Sequence, residues 1–356
     1  MKIVIIGGGI AGLAAAIKLR DNHQVIVKEK NSTLESAGLA FMVNQKTLDS
    51  IGPLIKGDLK SMVSSVTDFI IKSDVGADNT KELNGWFILK RVTLLQALKS
   101  QLGLGQYDDR CEFLKFQFEG EKATAAIFKD GSIEKGDFFI AADGINSSAR
   151  EFVCKAEFFP NVINEIVCLT KNAGAVPKAT FTKFISSKKG ISAGMIPISE
   201  EELIWIVQFA QDAYGHHFSR NTKIEKNVKK YLQPDLPEKF QEIIENSELS
   251  RAYYWNNREL KLLSSYYKSN VCLIGDAAHG STSLTSSGVS SAISSAKEIA
   301  NALNGSKKIE AALVDFESSR KKENLKIIEY SQILKNQFFS PPDHLETYEI
   351  PLYSSL

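Results

Sequence analysis

Lys2-Ile-Val-Ile-Ile6-Gly7-Gly8-Gly9-Ile10-Ala11-Gly12 opens the chain with an apolar strand that runs straight into a glycine turn. The spacing gives three of the glycines separate tasks. Gly7 permits the tight turn, Gly9 lets backbone approach a pyrophosphate, and Gly12 lets the following helix lie close to the strand. That helix, from Ile10 to about Asn22, is rich in alanine and leucine, and its first amides present partial positive charge. Glu29 closes the next apolar run, Val25-Ile26-Val27. It stands seventeen residues past Gly12, near the ~20 at which an acid accepts ribose hydroxyls. Strand, turn, helix and acid together read as a dinucleotide site. The pattern leaves open which dinucleotide.

The 356 residues suggest about two domains and a substantial core. Hydrophobic residues make up 43% and charged residues 24%, the profile of an ordinary globular chain. A net charge of +1 gives no electrostatic case for nucleic acid or for an anionic membrane. The basic clusters Lys188-Lys189, Lys229-Lys230 and Arg320-Lys321-Lys322 are short and read as solvated faces. Cys111, Cys154, Cys168 and Cys272 show no Cys-x-x-Cys spacing and no histidine pair at ligand spacing, so neither a metal nor a redox disulfide is expected. The first strand starts at Lys2, leaving no room for a signal peptide, and no apolar run is long enough to span a bilayer. The expectation is a reduced, cytoplasmic protein.

Periodicity organises the rest. A short helix is expected over Gln45 to Ile51, strand alternation from about Val63 to Phe87, and a helix from Arg91 to Leu102. Phe113 to Ile133 reads as a β-meander, and Asp137 to Ala142 as a buried strand ending in Asp143-Gly144. Between about Asn161 and Tyr254 strands dominate, at Ile166–Leu169, Thr180–Ile185, Ile191–Ile198 and Leu203–Phe209. Two helical stretches follow, about Lys223–Tyr231 and Glu238–Glu245. This block carries no glycine phosphate loop and reads as a separate, mostly antiparallel domain. An apolar strand, Val271 to Ile274, then leads into Gly275-Asp276-Ala277-Ala278-His279. Two helices close the chain, about Ser287–Leu303 and Ile309–Asn336, before Pro341-Pro342 and a short tail.

Four further constellations resemble the FAD-dependent aromatic hydroxylases, the single-component flavoprotein monooxygenases typified by para-hydroxybenzoate hydroxylase. Asp137-Phe-Phe-Ile-Ala-Ala-Asp143-Gly144-Ile-Asn-Ser147-Ser-Ala-Arg150 resembles that family's Asp-Gly fingerprint, and Asn270 to His279 its Gly-Asp fingerprint. Lys90-Arg91-Val-Thr-Leu94 is similar to the family's arginine at the head of a helix beside the flavin. Ala37-Gly38-Leu39 with Asn44 resembles its glycine loop near the isoalloxazine. The resemblance spans about residues 1 to 330. After His279 the chain departs from the pattern: Ser283 stands where the family has proline, Gly288 is what is left of a glycine pair, and Ser295 stands where aspartate is common.

The resemblance implies an α/β architecture: a discontinuous Rossmann-like FAD-binding domain and a mostly antiparallel β-sheet substrate domain. The segments expected are 1–62, 88–158 and 259–340 for the first, 63–87 and 159–258 for the second, and 341–356 as a C-terminal tail. It assigns to FAD the positions Gly7, Gly9, Ile10, Ala11, Gly12, Glu29, Lys30, Gly38, Leu39, Arg91, Asp143, Gly144, Asp276, Gly288 and Val289. An aspartate at the carboxyl end of a buried parallel strand sits where ligands lie in open α/β sheets, and a carboxylate suits a hydroxyl-rich chain. Met195, Trp205 and Phe209 are the candidates for lining a substrate pocket. His279 reads as structural, and the residues name no catalytic base.

The activity implied is a monooxygenase that consumes NADPH or NADH and O2. It would hydroxylate a small aromatic or polycyclic molecule through a flavin C4a-hydroperoxide. No second Gly-x-Gly-x-x-Gly appears, so the nicotinamide would dock transiently. Two alternatives stay open: a flavin reductase or dehydrogenase of the same fold, and a flavin-bound protein that holds a ligand without catalysis. The Trp-x-Trp-x-Ile-Pro signature of flavin halogenases is absent.

Overall fold

The computed structural model describes residues 1–33, 39–74, 78–172, 176–187, 190–219, 223–305 and 308–353. Its first sheet contains β1 (Lys2–Ile6), β2 (Gln24–Lys28), β6 (Tyr107–Asp108), β10 (Phe138–Ala141), β16 (Tyr267–Lys268) and β17 (Val271–Leu273). They run in the order β16-β17-β10-β1-β2-β6, parallel throughout except for the edge pair β16–β17. β10 and β17 are wholly buried and β1 nearly so. Helices cover both faces of such a sheet, which is why these strands read as unbroken apolar runs. The helix Ile10–Leu19 lays Ala11 to Ala16 against β1 and packs on the helix Gly288–Asn304. Side chains this small let a helix sit close to its sheet.

The second sheet contains β3 (Ala40–Asn44), β4 (Val63–Ser73), β5 (Asn79–Lys90), β11 (Ile163–Lys171), β12 (Thr180–Ile185), β13 (Ile191–Pro197), β14 (Glu202–Ala210) and β15 (Tyr253–Asn256). Its order is β15-β11-β14-β13-β12-β4-β5-β3, antiparallel except where β12 meets β4. β3 lies within residues 1–62 yet hydrogen-bonds into this sheet, so the chain passes between the two sheets more often than the expected segments allow. β7 (Phe113–Glu119), β8 (Lys122–Phe128) and β9 (Ile133–Lys135) form the expected meander as a small third sheet.

Element ends shift by a few residues from those expected. The first helix stops at Leu19 and the helix from Arg91 at Lys99, while the last one continues from Ile309 to Phe339. The stretch expected as one helix over Lys223–Tyr231 divides into an α-helical turn, Ile224–Asn227, and a wider π-helical turn, Val228–Leu232.

A larger difference concerns the C-terminus. Pro341-Pro342 do end the last helix, but the chain then returns across the second sheet as an ordered strap. Leu345, Tyr348 and Leu352 are buried in one cluster with Phe69, Trp86, Ile196 and Ile204. Lys81 Nζ donates to Tyr348 O at 2.6 Å, Gln337 Nε2 to Glu349 O at 2.7 Å, and Tyr353 N–H to Thr285 O at 3.0 Å. Three apolar residues at three- and four-residue spacing suffice to hold such a segment, a pattern too short to stand out in sequence.

Candidate active site

The glycine turn is built by close packing. Gly7 has φ +106°, and a Cβ there would stand 2.3 Å from Ala142 O. Its own N–H is held by Lys28 O at 2.8 Å. A Cβ on Gly12 would stand 2.0 Å from Gly7 O, whereas one on Gly9 would meet nothing within 4 Å. The open side of Gly9 faces a cavity of about 400 Å³ whose wall includes Gly9, Ile10 and Ala11. No side chain caps the helix that starts at Ile10, so its first amides are available to an anion. Glu29 Oε2 accepts from Gly8 N–H at 2.6 Å and Oε1 from Asn31 N–H at 2.9 Å. The acid thus braces the turn and keeps lone pairs for hydroxyls.

A second helix start meets the first across this cavity. Gly288 and Val289 begin the helix Gly288–Asn304, again without a side-chain cap, and both line the wall. Beside them Gly275 has φ +58° and ψ −148°, a conformation that only glycine adopts readily. A Cβ on Gly275 would approach Ala11 Cβ to 2.7 Å, so this turn presses directly on the first one. Ser295 Oγ accepts Gly275 N–H at 3.2 Å. Asp276 stands on the cavity wall with its side chain open to that space, and the reduced solvation there raises its carboxyl to about 6, with the Arg91 guanidinium opposing the rise. Burial lowers Arg91 in turn, with Asp276 and Glu29 pulling the other way.

The Asp-Gly segment plays a different part. Ala142 and Gly144 reach the cavity wall, but Asp143 itself turns inward. Its Oδ2 accepts Ala149 N–H at 3.2 Å, and its Oδ1 is buried with no partner among the described residues. Burial raises its carboxyl, against hydrogen bonds from Ser147 and Ala149. Arg150 Nη1 donates to Ala277 O at 3.0 Å and Nη2 to Ile145 O at 2.8 Å, tying this segment to the Asp276 turn. His279 is buried, shares a hydrogen bond with Ser291 Oγ at 3.0 Å, and is pushed down to about 3 by burial and Arg320. It stays neutral and serves as packing, the reading made from the sequence.

The serine-rich loop is ordered by its own hydroxyls. Thr285 Oγ1 and Ser287 Oγ are 2.7 Å apart, Ser281 Oγ and Ser287 Oγ 3.1 Å apart, and Ser283 Oγ donates to Asn257 Oδ1 at 2.7 Å. Hydroxyl bridges and the left-handed Ser286 (φ +52°) shape this cavity edge without proline.

The opposite wall is one face of the second sheet: Glu165 and Val167 on β11, Phe181 and Lys183 on β12, Gly194 and Ile196 on β13, and Ile204, Ile206 and Gln208 on β14. Every one is two residues from the next on its strand, as pleating requires. The three candidates for the substrate wall therefore need correction. Met195, Trp205 and Phe209 fall on the alternate positions, which face the other way into a core with Phe240 and Ile244. Trp205 is 0% exposed, and its indole N–H is spent on Ser247 Oγ at 2.9 Å. Both faces of this sheet are covered, so hydrophobicity along the strand is nearly continuous and does not report which parity meets the cavity.

Of the positions assigned to FAD, Gly9, Ile10, Ala11, Leu39, Arg91, Gly144, Asp276, Gly288 and Val289 line the one cavity. Gly7, Gly12 and Glu29 shape its rim. Lys30 is exposed and away from the wall. Gly38, like Lys188 and Lys189, lies outside the described residues. Sequence reasoning missed Glu165, Lys183, Gln208 and Pro351 of the strap, all four on the wall. Charged and amide residues inside otherwise apolar strands were the available signal for the first three. Among the described residues no group of three His, Cys, Asp or Glu side chains is placed to hold a metal, and no helix is long and apolar enough to cross a membrane.

The residues fit a flavin dinucleotide: two uncapped helix starts, a Gly9 face with open space, the Asp276 carboxylate on the wall with Glu29 behind the glycine turn, and an apolar extension beyond them. The profile of the FAD binding domain family matches residues 1–322. An FAD-dependent urate hydroxylase of Klebsiella oxytoca is 24% identical over 340 residues, covering 90% of this chain and 86% of that protein. Monooxygenase 2 of Arabidopsis thaliana is 24% identical over 301 residues, covering 79% and 71%. Among solved structures, Klebsiella pneumoniae HpxO complexed with FAD and uric acid superposes with a TM-score of 0.82 at 18% identity, covering 96% of this chain and 89% of that one. The 2,6-dihydroxypyridine-3-hydroxylase of Arthrobacter nicotinovorans gives 0.81 at 16%, covering 98% and 97%.

Proposed function

The chain belongs to the FAD binding domain family, with FAD-dependent hydroxylases and monooxygenases as its relatives, and on that premise we propose that it hydroxylates a small aromatic or heteroaromatic molecule. The observation that supports this most is the continuity of the cavity. One space runs from the Gly9–Ala11 amides, past Arg91 and Asp276, to the apolar face made by Phe181, Ile196, Ile204 and Ile206.

In this reading the amides of Ile10 and Ala11 hold the pyrophosphate, Glu29 accepts ribose hydroxyls, and Asp276 accepts from the ribityl side. The Gly288 and Val289 amides stand at the ring end. Bound FAD supplies the redox chemistry, so that substrate C–H, O2, NAD(P)H and a proton give substrate C–OH, water and NAD(P)+. The protein binds, orients and excludes water. Apolar side chains on β12 to β14 and Pro351 of the strap make the dry floor, and Arg91 adds positive charge at the cavity's middle. The nicotinamide would dock transiently. A cytoplasmic setting is part of the proposal, supported by four free cysteines. So is the division into a discontinuous cofactor domain and a substrate domain built on the second sheet.

The test is product analysis. Protein reconstituted with FAD is supplied with NADPH or NADH, 18O2 and a panel of phenols, pyridinols and purines. Ligand-stimulated nicotinamide oxidation and a product carrying one 18O atom support the proposal. Nicotinamide oxidation with a reduced product and no oxygen uptake overturns it.

A further inference from the structure

We propose that Lys183 is the substrate anchor, and that it selects ligands carrying an ionised oxygen on an otherwise apolar ring. This rests on the hydroxylase reading above and deepens it. Lys183 is 5% exposed and Glu165 4%, yet both line the cavity. Charges this deeply enclosed occur where they are paired or where they serve a ligand.

The pairing here is indirect. Lys183 Nζ donates to Gln208 Oε1 at 3.0 Å, and Gln208 Nε2 donates to Glu165 Oε2 at 2.8 Å. Ser192 Oγ also donates to Gln208 Oε1, at 3.1 Å, which fixes the orientation of the amide. An ammonium has three N–H donors. Among the described residues Gln208 is the one hydrogen-bond acceptor of Lys183 Nζ, so two donors are uncommitted.

The sheet register explains why they meet a ligand. Lys183 sits opposite Gly194, and Gly194 opposite Ile206. The absent side chain at Gly194 lets the Phe181 ring lie across the strand beside Lys183, since a Cβ there would approach Phe181 Cε2 to 3.1 Å. A flat ring lying on Phe181, Ile196 and Ile206 would thus present one edge to the ammonium. Burial lowers Lys183 to about 8 while Glu165 holds it up, and burial raises Glu165. An oxyanion beside Lys183 would restore the full ammonium.

The probe pair is 7-hydroxycoumarin and 7-methoxycoumarin, equal in ring, with the ionisable phenol proton of the first replaced by a methyl group in the second. Each is titrated into FAD-loaded protein and followed by its own fluorescence and by the flavin spectrum. The wild type is expected to bind the hydroxy compound about 10- to 100-fold more tightly, the range for a charge-assisted hydrogen bond in a dry site. It should hold that compound with the excitation spectrum of the phenolate. Lys183→Met should erase the preference, the loss falling on 7-hydroxycoumarin, and Lys183→Arg should restore most of it. Equal binding of the two probes by the wild type, a bound spectrum of neutral phenol, or a preference that survives in Lys183→Met overturns the inference. The bound-probe spectrum needs no variant, so a poorly folding substitution does not shield it. A charge preference without 18O incorporation into any ligand defeats the hydroxylase reading and leaves the anchor standing. Hydroxylation without charge preference does the reverse.

Discussion

Replacing Gly12 by alanine separates the architecture of the glycine turn from its chemistry. The new Cβ would lie 2.0 Å from Gly7 O and 3.3 Å from Ile5 Cγ2, where contacts under 3.0 Å are essentially never seen. Both neighbours are fixed: Gly7 by its hydrogen bond to Lys28 O, Ile5 by full burial in β1. The helix Ile10–Leu19 must therefore lift by about 1 Å from the strand. Overpacking of this kind costs about 1–3 kcal/mol, and each 1 kcal/mol lowers the melting temperature of a chain above 150 residues by roughly 2–4 °C. The same lift moves the Ile10 and Ala11 amides relative to Gly9, so FAD affinity should drop at least about tenfold, equivalent to ~1.4 kcal/mol. Gly9→Ala is the control. Its backbone (φ −75°, ψ −175°) suits any residue and its Cβ meets no protein atom within 4 Å. The apoprotein should melt unchanged or slightly higher, since Gly→Ala at a compatible site stabilises by about 0.4–1 kcal/mol. FAD binding should still fall, because the Cβ enters the space the cofactor uses. Apoprotein melting curves and titration of flavin fluorescence measure both quantities. If Gly12→Ala melts normally and binds FAD within twofold of wild type, the packing argument is wrong. If Gly9→Ala destabilises the apoprotein and leaves FAD binding intact, the chemical assignment is wrong.

Trp205→Phe should lower the melting temperature and leave ligand binding unchanged, because Trp205 faces the core with Phe240; Ile206→Trp, on the cavity side, should do the opposite, and calorimetry with ligand titration distinguishes them. Leu352→Ala, removing a side chain buried under the second sheet, should cost about 2–5 kcal/mol and loosen Pro351, raising the fraction of NAD(P)H oxidised without product. Two groups, the buried His279 and the solvent-reaching Asp276, should tilt stability against pH in opposite senses, the second more weakly because water screens it. His279 takes its proton near 6.5 when unfolded but near 3 when folded, so it withdraws stability as pH falls from about 6.5 toward 3, and His279→Gln should flatten the acid limb of the melting profile. Asp276 has the reverse shift, its folded value of about 6 standing above the ordinary 3.8. Its ionisation therefore withdraws stability as pH rises through about 6, and Asp276→Asn should raise the apoprotein melting temperature at pH 7 but not at pH 4, while weakening FAD binding.

The cofactor half of this site was legible because its signals are local. A strand, a turn and a helix occupy eighteen consecutive residues from Lys2, and the turn needs glycine at Gly7 and Gly12 for steric reasons that act over a few ångströms. Gly275-Asp276 is a second such unit, again a strand end followed by a turn. Of the residues carried by these units, Gly9, Ile10, Ala11, Gly275 and Asp276 line the cavity, and Gly7 and Gly12 pack behind it. Asp143 shows the limit of a motif: its neighbours reach the wall, and its own carboxylate points into the protein to hold the Ala149 amide.

What the chain's order of residues determined by itself was the kind of ligand, the parallel nucleotide-binding sheet and the presence of a strand-rich second unit. Tertiary structure alone decided which face of that unit lines the cavity. β11 to β14 carry apolar residues on both faces, so hydrophobic alternation by itself carries no parity; the helices packed over Trp205 and Phe209 leave the face with Glu165, Lys183 and Gln208 to the cavity. It also brought Glu165, Lys183 and Gln208 together from three strands and laid Pro351 of the strap on the wall of the same cavity. Such contacts join residues dozens of positions apart, and no periodicity along one strand encodes them. They exist because pleated strands in fixed register place side chains of different strands within a few ångströms of one another.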